Sequence, residues 1–237
     1  MTEILSINDL SYKRNLTSIL KQVNCSAESG SIIGLLGANG AGKTTLMRLI
    51  SGAAKGFHGE ISINGNTQDI ERKQLVSFSH QLDGVNSHDR MEKIAEFYQA
   101  VYPDFSESAF KRLAEFLELD LHQRLGNLSK GNRMKFIIAI TLSRQVQLYL
   151  LDEPFDGIDS MSRKKIIASI LQWKPVDATI LISDHHVDDV ANILDAVLII
   201  KDKKMVVSEK ADKIREEYGQ SIEDYYESIY TGGKEND

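Results

Sequence analysis

The stretch from Gly37 to Thr44 restricts the fold more than any other part of this sequence. It reads Gly-Ala-Asn-Gly-Ala-Gly-Lys-Thr and fits the pattern G-x-x-x-x-G-K-[ST] in full. An apolar run, Ile32–Leu36, precedes it, and a helical pattern, Thr45–Ile50, follows it. This context predicts a buried strand that leads through a glycine-rich turn directly into a helix, which is a unit of parallel α/β sheets.

The residue types in this turn suit a phosphate group. Glycines let the backbone curl so that successive N–H groups point inward, and the following helix adds the positive end of its dipole. Lys43 supplies a point charge for the β- and γ-phosphates of a nucleotide, and the Thr44 hydroxyl can ligate Mg²⁺. The pattern therefore predicts a nucleotide-binding loop. Its candidate contact residues are Gly37, Ala38, Asn39, Gly40, Ala41, Gly42, Lys43, Thr44 and Thr45.

The composition argues against several classes of protein. The 237 residues carry a net charge of -6 and no cluster of lysine and arginine that would suit a nucleic acid. The N-terminus lacks the pattern of a secretory signal, and the longest apolar runs fall far short of the ~20 residues of a membrane-spanning helix. The single cysteine, Cys25, excludes an intrachain disulfide and fits a reducing compartment. We do not expect such a chain to carry a solute across a membrane by itself.

Strand-like and helical patterns alternate along most of the chain. Three further apolar runs, 75–79, 148–151 and 179–183, resemble the run before the glycine-rich turn, and helical patterns separate them. We therefore expect a mostly parallel sheet. The first third reads as strands and turns, with a hairpin signal at Asn64-Gly65.

The stretch 82–128 differs, because it lacks strand-like runs. Apolar residues at helical spacing mark one helix face, and a second stripe follows a Pro103-Asp104 break. We interpret this stretch as an inserted helical subdomain whose stripes pack internally. The first stripe consists of Ile94, Phe97, Tyr98 and Val101. The expected division is 1–81 with 129–210 for the nucleotide-binding core and its N-terminal β-subdomain, 82–128 for the helical subdomain, and 211–237 for a C-terminal helical tail.

The apolar run Leu148–Leu151 ends in two carboxylates, Asp152 and Glu153. Together with a phosphate-binding turn, such a pair forms the second half of a nucleotide site. Asp152 would hold Mg²⁺, and Glu153 could take a proton from an attacking water. Asp-Glu pairs also occur at solvated strand ends, and the glycine-rich turn upstream favours the functional interpretation.

At this point the chain resembles the ABC (ATP-binding cassette) ATPases. The segment Leu128–Asn132 reads LSKGN and stands upstream of the acidic pair, where that family carries its signature, usually LSGGQ. Lys130 replaces a glycine of the signature, and Asn132 replaces a glutamine. The apolar segment that follows predicts a helix, so Ser129 and Gly131 would lie at a helix N-terminus suited to an anion. In the family this segment contacts the γ-phosphate held by the opposite subunit.

Further positions fit the resemblance. Gln81 matches the Q-loop glutamine, which reaches the metal and lies next to the transporter contact. Asp159 matches the D-loop aspartate at the dimer interface. His185 matches the switch histidine that senses the γ-phosphate, and the neighbouring His186 is the alternative.

The residue that stacks on adenine in the family has two candidates here. Tyr12 is the aromatic near the N-terminus. Counting back without gaps from Leu20–Val23 puts Arg14 at this position instead, and an arginine plane can also stack on a base. Both candidates stay open.

The resemblance covers about residues 3–205. It implies an α/β fold of the P-loop NTPase (RecA-like) type, with a mostly parallel sheet core, an N-terminal antiparallel β-subdomain and an inserted helical subdomain. It also implies ATP hydrolysis with Mg²⁺ by two copies of the chain that close head-to-tail around ATP. The implied catalytic groups are Lys43, Gln81, Glu153 and His185, and the implied metal ligands are Thr44, Gln81 and Asp152.

The partners implied by the resemblance are a second copy of the chain and integral membrane permease subunits, with no nucleic acid. The chain would be peripheral, at the cytoplasmic face of the cell membrane. The segment Phe97–Phe105, followed by the LSKG signature, resembles bacterial ABC-2-type export ATPases, which serve efflux of drugs and of antimicrobial or toxin peptides. An importer ATPase and a soluble ABC ATPase acting on ribosomes or DNA are the alternatives. A small-molecule kinase would leave Gln81, His185 and the signature segment unexplained.

Overall fold

The structure is a computed structural model that describes residues 2–82, 84–185 and 187–231, without the side chains of His80, Gln81 and Asp189. The strands are β1 (Glu3–Arg14), β2 (Thr17–Glu28), β3 (Ile32–Leu36), β4 (His58–Ile63), β5 (Val76–Phe78), β6 (Leu148–Asp152), β7 (Thr179–Asp184), β8 (Ala196–Lys201) and β9 (Lys204–Lys210). The helices are α1 (Lys43–Ile50), α2 (Asp69–Leu75), α3 (Met91–Val101), α4 (Glu107–Phe116), α5 (Lys130–Leu142), α6 (Ser160–Trp173), α7 (Ala211–Glu216) and α8 (Ile222–Thr231).

The central sheet has the strand order β5-β6-β7-β3-β8-β9. The first five strands in this order, including β3, are parallel, and β9 pairs antiparallel with β8. Alternate side chains of β3 enter different cores: Ile33 and Leu35 pack on the side of α1, while Ile32 and Leu36 pack on the opposite side. The carboxyl ends of β3, β6 and β7 therefore meet at one edge of a sheet that is buried on both faces. The predicted mostly parallel α/β core is confirmed.

A second sheet, with the order β2-β1-β4, is antiparallel and lies at the N-terminal part of the chain. Its buried residues, such as Leu5 and Ile7, share a core with α1. The predicted turn at Asn64-Gly65 forms, since both residues have positive φ and Ile63 pairs with Asn66. The hairpin extends no further than this one bridge, because the chain continues into α2 instead of a returning strand.

Helices α3 and α4 lie within the stretch 82–128 and pack with α5 into the core on the far side of the sheet. Helix α3 buries Ile94 and Tyr98, as predicted, together with Met91 and Ala95. The expectation that Phe97 and Val101 pack internally is wrong, because they are 59% and 49% exposed. The buried face is centred on 91, 94, 95 and 98, which turns the other two side chains outward.

Arg144 ties this helical region to the sheet. Its guanidinium donates through Nε and Nη2 to the two carboxylate oxygens of Asp104, at 2.9 and 2.7 Å, and through Nη1 to the carbonyl of Val76 at 2.7 Å. The guanidinium also lies 4.1 Å from the ring centroid of Tyr102. One buried cation thus joins the α3–α4 connection to the first residue of β5.

In the described part of the chain, no helix combines the length and the apolar character needed to cross a bilayer. The C-terminal stretch contains α7 and α8, whose apolar residues pack against the central core. The domain limits at 81/82, 128/129 and 210/211 stay a prediction.

Candidate functional site

The glycine-rich turn forms a tight loop between β3 and α1. Gly42 immediately precedes α1 and has a φ of 113°. A Cβ at this position would lie 2.8 Å from Cδ2 of Leu20, so both the conformation and the space require glycine. Ala38, Asn39 and Gly40 form the exposed tip, and the Ala41 amide donates to the Ala38 carbonyl at 3.0 Å. Thr44 and Thr45 lie in the first turn of α1. The N–H groups of a first turn lack acceptors within the helix and can bind an anion.

Lys43 is the first residue of α1, and its side chain, only 4% exposed, reaches back to the start of the loop. Its ammonium donates to the Gly37 carbonyl at 2.7 Å, and it lies 3.6 Å from Oε1 of Glu153. The most buried cation of the site is therefore held between the loop and the acidic strand.

Asp152 ends β6 within reach of residues from neighbouring elements. Its Oδ1 accepts from the Thr44 hydroxyl at 3.1 Å and from the Ser183 hydroxyl at 2.5 Å. Its amide donates to the Ser79 hydroxyl at 2.9 Å. The Thr44 hydroxyl of α1 and the Asp152 carboxylate of β6 are thus in direct contact.

These oxygen ligands fit Mg²⁺. In the described residues no group of three or more His, Cys, Asp or Glu gathers that could hold a metal ion. Mg²⁺ suits the smaller Thr44–Asp152 set, because it is usually bound by one or two protein oxygens together with waters and substrate phosphates. The side chain of Gln81, the third predicted ligand, lies outside the described residues, although its backbone belongs to the 3₁₀ turn Ser79–Leu82 that follows β5.

Glu153 has an unusual backbone conformation, with a φ of 47°. Its amide donates to the carbonyl and the hydroxyl of Ser183, at 3.1 and 3.0 Å. Such strain in a non-glycine residue persists only where the surroundings fix it, and it is common at functional sites. The conformation holds the Glu153 carboxylate beside Lys43 and His185.

His185 follows β7, and its Nδ1 lies 3.5 Å from Oε1 of Glu153. Its amide donates to the carboxylate of Asp184 at 2.7 Å, which holds the start of the loop. The alternative residue, His186, lies outside the described residues. Lys43, Glu153 and His185 therefore converge from the ends of three neighbouring strands, as the parallel topology requires.

The signature segment begins α5. The hydroxyl of Ser129 accepts from the Asn132 amide at 3.2 Å, which makes it the N-cap of this helix. The Lys130 ammonium pairs with the carboxylate of Asp156 at 2.7 Å, so the residue that departs from the family pattern contacts the loop after Glu153.

Gly131 and Asp159 are neighbours in the structure. A Cβ on Gly131 would lie 2.9 Å from the Ser162 hydroxyl and 3.4 Å from Oδ2 of Asp159. Asp159 caps α6 by accepting from the amides of Met161 and Ser162 at 3.0 and 2.9 Å. These hydrogen bonds, those of Ser162 first, lower the pKa of the Asp159 carboxyl. The start of α5 thus packs directly on the capped end of α6.

The two candidates for the adenine contact lie on β1. Tyr12 is half-buried and pairs with Leu20, the residue that touches Gly42. Arg14 is exposed and pairs with Thr17 next to the turn between β1 and β2. Tyr12 therefore lies opposite Leu20, the β2 residue that packs on the glycine-rich loop.

Sequence reasoning missed two serines of this site. Ser183 contacts both Asp152 and Glu153, and Ser79 contacts the Asp152 amide. Each follows an apolar run at the carboxyl end of a strand, a position that could have identified them once the strand order was known. A cavity of about 400 Å³ opens between this cluster and α5. Its lining includes Thr44, Ser79, Lys130, Asp152, Glu153 and Asp156.

Comparison with known proteins supports one family. The family model described as ABC transporter matches residues 20–156. The putative ABC transporter ATP-binding protein AlbC of Bacillus subtilis is 32% identical over 213 residues, which are 83% of this chain and 87% of AlbC. The sulfate/thiosulfate import ATP-binding protein CysA of Synechococcus elongatus is 28% identical, over 82% of this chain and 59% of CysA.

Solved structures show the same fold. The structure of an ATP-binding subunit of an ABC transporter aligns with a TM-score of 0.84 at 24% identity, over 96% of this chain and 100% of that one. A nucleotide-free ATP-binding cassette aligns with a TM-score of 0.79 at 19% identity, over 94% and 99% of the two chains. With a family model that matches more than half of its length, this chain belongs to the ABC transporter family as an ATP-binding, ATP-hydrolysing subunit.

Proposed function

We propose that this subunit hydrolyses ATP at the Lys43–Glu153–His185 cluster and powers a bacterial exporter. The observation that carries the assignment of the site is the approach of two residues to Oε1 of Glu153: Nζ of Lys43 lies 3.6 Å from it, and Nδ1 of His185 lies 3.5 Å from it. A carboxylate that a strained backbone holds between a buried ammonium and a histidine is suited to proton transfer next to a polyphosphate.

In the proposed reaction, the loop amides and Lys43 bind the β- and γ-phosphates and neutralise their charge. A water molecule attacks the γ-phosphorus, the bond to the oxygen of ADP breaks, and Glu153 accepts the proton that the water loses. His185 orients the γ-phosphate. Mg²⁺, held by Thr44 and Asp152, would neutralise charge on the phosphate oxygens.

The signature segment has its own role in this proposal. Ser129 and Gly131 would contact the γ-phosphate bound by a second copy of the chain, so that neither copy completes a site alone. The packing of Gly131 on the cap of α6 supports this role, because it fixes the start of α5 relative to Asp159. Hydrolysis would remove the phosphate contacts that hold the two copies together.

The proposed partner in the membrane is a pair of permease subunits. Helix α3 carries two exposed apolar side chains, Phe97 and Val101, one turn apart. Such a pair on one helical face suits contact with an apolar partner surface. Drugs, antimicrobial or toxin peptides and lipid-like molecules are the proposed cargo, a choice that rests on the resemblance of 97–105 and the LSKG signature to export ATPases.

An importer is the second candidate, since the similar CysA protein is named for sulfate and thiosulfate import. The first test is a pull-down of a tagged Glu153→Gln variant from detergent-solubilised native membranes with ATP present. We expect a polytopic membrane protein in about equal amount, and transport by the reconstituted pair then gives the direction. Recovery only of soluble ribosomal or DNA-repair proteins would contradict the transporter role.

The site itself is tested by Lys43→Ala. We expect this variant to lose ATP binding in an equilibrium titration, because the loop then lacks its buried cation. Nucleotide affinity equal to that of the parent would overturn the assignment.

A further inference from the structure

The C-terminal helix α8 contacts the glycine-rich loop directly. The hydroxyl of Tyr230 accepts from the Ala38 amide at 3.1 Å and donates to the Ile200 carbonyl at 2.8 Å. Ala38 belongs to the exposed tip of the loop, and Ile200 lies near the end of β8. One hydroxyl thus connects the loop to the strand beside it.

This connection lies at the point where the loop leaves the sheet. A Cβ on Gly37 would lie 2.8 Å from the same Ile200 carbonyl oxygen, so the loop and the end of β8 are already in close contact there. Glycine-rich segments have many accessible conformations, and ordering them costs entropy. The hydrogen bond from the Ala38 amide to Tyr230 limits the conformations of the loop before nucleotide binds. The entropy lost when the loop is ordered around the phosphates is then smaller.

The end of α8 is held in place by Lys201. Its ammonium donates to the Ile229 carbonyl in the last turn of the helix at 2.7 Å, and it lies 5.4 Å from the ring centroid of Tyr230. A cation at a helix C-terminus and above an aromatic ring is favourable on both counts. The ring of Tyr226 packs 4.9 Å from that of Tyr230. The Tyr230 side chain is therefore fixed from two sides.

The first turn of α8 reaches a different part of the site. The Glu223 side chain hydrogen-bonds with Asp188, a contact that raises the pKa of Glu223. Asp188 lies in the 3₁₀ turn Val187–Asp189, shortly after His185. Ile222 is buried at the same end of the helix. Helix α8 thus spans from the segment after β7 to the loop after β3.

We propose that Tyr230 is a positioning residue, which holds the glycine-rich loop in the conformation that receives the phosphates of ATP. The proposal rests on the proposed function of that loop. Tyr230 acts through Ala38 and Ile200 and touches no reacting atom. Its contribution therefore belongs to the binding of ATP and not to the chemical step.

The test compares Tyr230→Phe with the parent in ATP hydrolysis by the full chain. Phenylalanine keeps the ring between Lys201 and Tyr226 and removes only the hydroxyl. We expect KM for ATP to rise about fivefold, the effect of losing the one neutral hydrogen bond that reaches the loop, while kcat stays within about twofold. The matched control is Tyr225→Phe, on the same helix, whose ring stacks on Tyr218 at 5.5 Å; its KM should equal that of the parent.

A KM for Tyr230→Phe that is unchanged or lower, or a loss confined to kcat, overturns the proposal. If Tyr230→Phe unfolds at the assay temperature, Lys201→Met replaces it, because it releases the end of α8 and should raise KM in the same way; an unchanged KM there is equally decisive. An equilibrium ATP titration of Lys43→Ala separates the two proposals. If Lys43→Ala loses ATP and Tyr230→Phe behaves as the parent, only the role of Tyr230 falls. If Lys43→Ala binds ATP normally, the site assignment and this inference fall together.

Discussion

At the scale of single residues, the site depends on how Ser183 holds two adjacent acidic residues, Asp152 by its carboxylate and Glu153 by its backbone amide. Its hydroxyl donates to Asp152 and accepts from the amide of Glu153, which has a φ of 47°. The strained conformation is thus supported by a hydrogen bond from a neighbouring strand. Asp152 and Glu153 are adjacent in sequence, yet one faces Thr44 and the other faces Lys43 and His185. Adjacent carboxylates can therefore perform different functions.

We expect Glu153→Gln to keep ATP binding and to abolish turnover. The amide fills the same space but cannot accept a proton from water, so kcat should fall at least about a hundredfold. ATP affinity should be equal or higher, because a negative charge 3.6 Å from Nζ of Lys43 is removed. Nucleotide titration and phosphate release measure the two effects. Appreciable residual hydrolysis would reject Glu153 as the base.

We expect Ser183→Ala to lower kcat about tenfold, as the loss of a group that orients a ligand or base commonly does. Asp152 loses a donor, and the Glu153 amide loses one of its acceptors. Ser169→Ala is the matched control, since Ser169 is equally buried and its hydroxyl donates to the Ile166 carbonyl within α6. Steady-state kinetics of both variants decide the matter. Equal kcat values would remove Ser183 from the site.

The sequence names Lys43 and Thr44, and likewise Asp152 and Glu153, because each pair belongs to a short local pattern: a glycine-rich turn before a helix, and an apolar run that ends in two carboxylates. Ser183 could not be named in this way, since it lies 31 residues from Asp152 and contacts it only through the pairing of β6 with β7. Tyr230 is 192 residues from Ala38, and nothing in the local pattern links them. Contacts made by strand order and helix packing are not visible in a motif.

At the scale of elements, the Arg144–Asp104 pair joins the helical region to the sheet. The side chain of Arg144 is 3% exposed and that of Asp104 is 25% exposed. The guanidinium makes a bidentate contact with the carboxylate and also reaches the Val76 carbonyl. The geometry is that of a strong, directional pair. Removal of Asp104 would leave the Arg144 charge buried without its carboxylate.

We expect Asp104→Ala to lower the free energy of unfolding by about 3 kcal/mol, because Arg144 then remains as a buried charge that lacks its carboxylate. Asp212→Ala is the control; Asp212 is 82% exposed, and its contact with Arg215 should contribute little. Urea unfolding of both variants measures the difference. Equal midpoints for the two variants would show that the pair does not hold these elements together.

The apolar stripe of α3 shows that helical spacing does not determine which side chains are buried. The spacing of Ile94, Phe97, Tyr98 and Val101 predicts one buried face, and the structure buries only Ile94 and Tyr98 of this set. An apolar stripe indicates a face, but it does not say whether that face meets the core or remains available to a partner. Packing against α4 and α5 decides which side of α3 is inside.

At the scale of the whole molecule, the element order follows from the alternation of short apolar runs and helical patterns, and the parallel sheet follows from that order. The sheet brings the ends of β3, β6 and β7 together, so the candidate base, lysine and histidine meet without long loops. The start of α5 lies beside the acidic residues of the same copy, because Lys130 pairs with Asp156. Whether the signature segment serves its own ATP or that of a partner is a question about the assembly.

Mixing two inactive variants answers this question. Lys43→Ala should disable the loop half of the site, and Ser129→Arg should block the signature half, so each alone should hydrolyse almost no ATP. In a head-to-tail dimer of the two, one site has an intact loop from one copy and an intact signature from the other. An equimolar mixture should therefore recover about a quarter of the parent rate, since half of the dimers are mixed and each has one intact site. Phosphate release on mixing measures this, and a mixture as inactive as its components would mean that the two halves do not combine between copies.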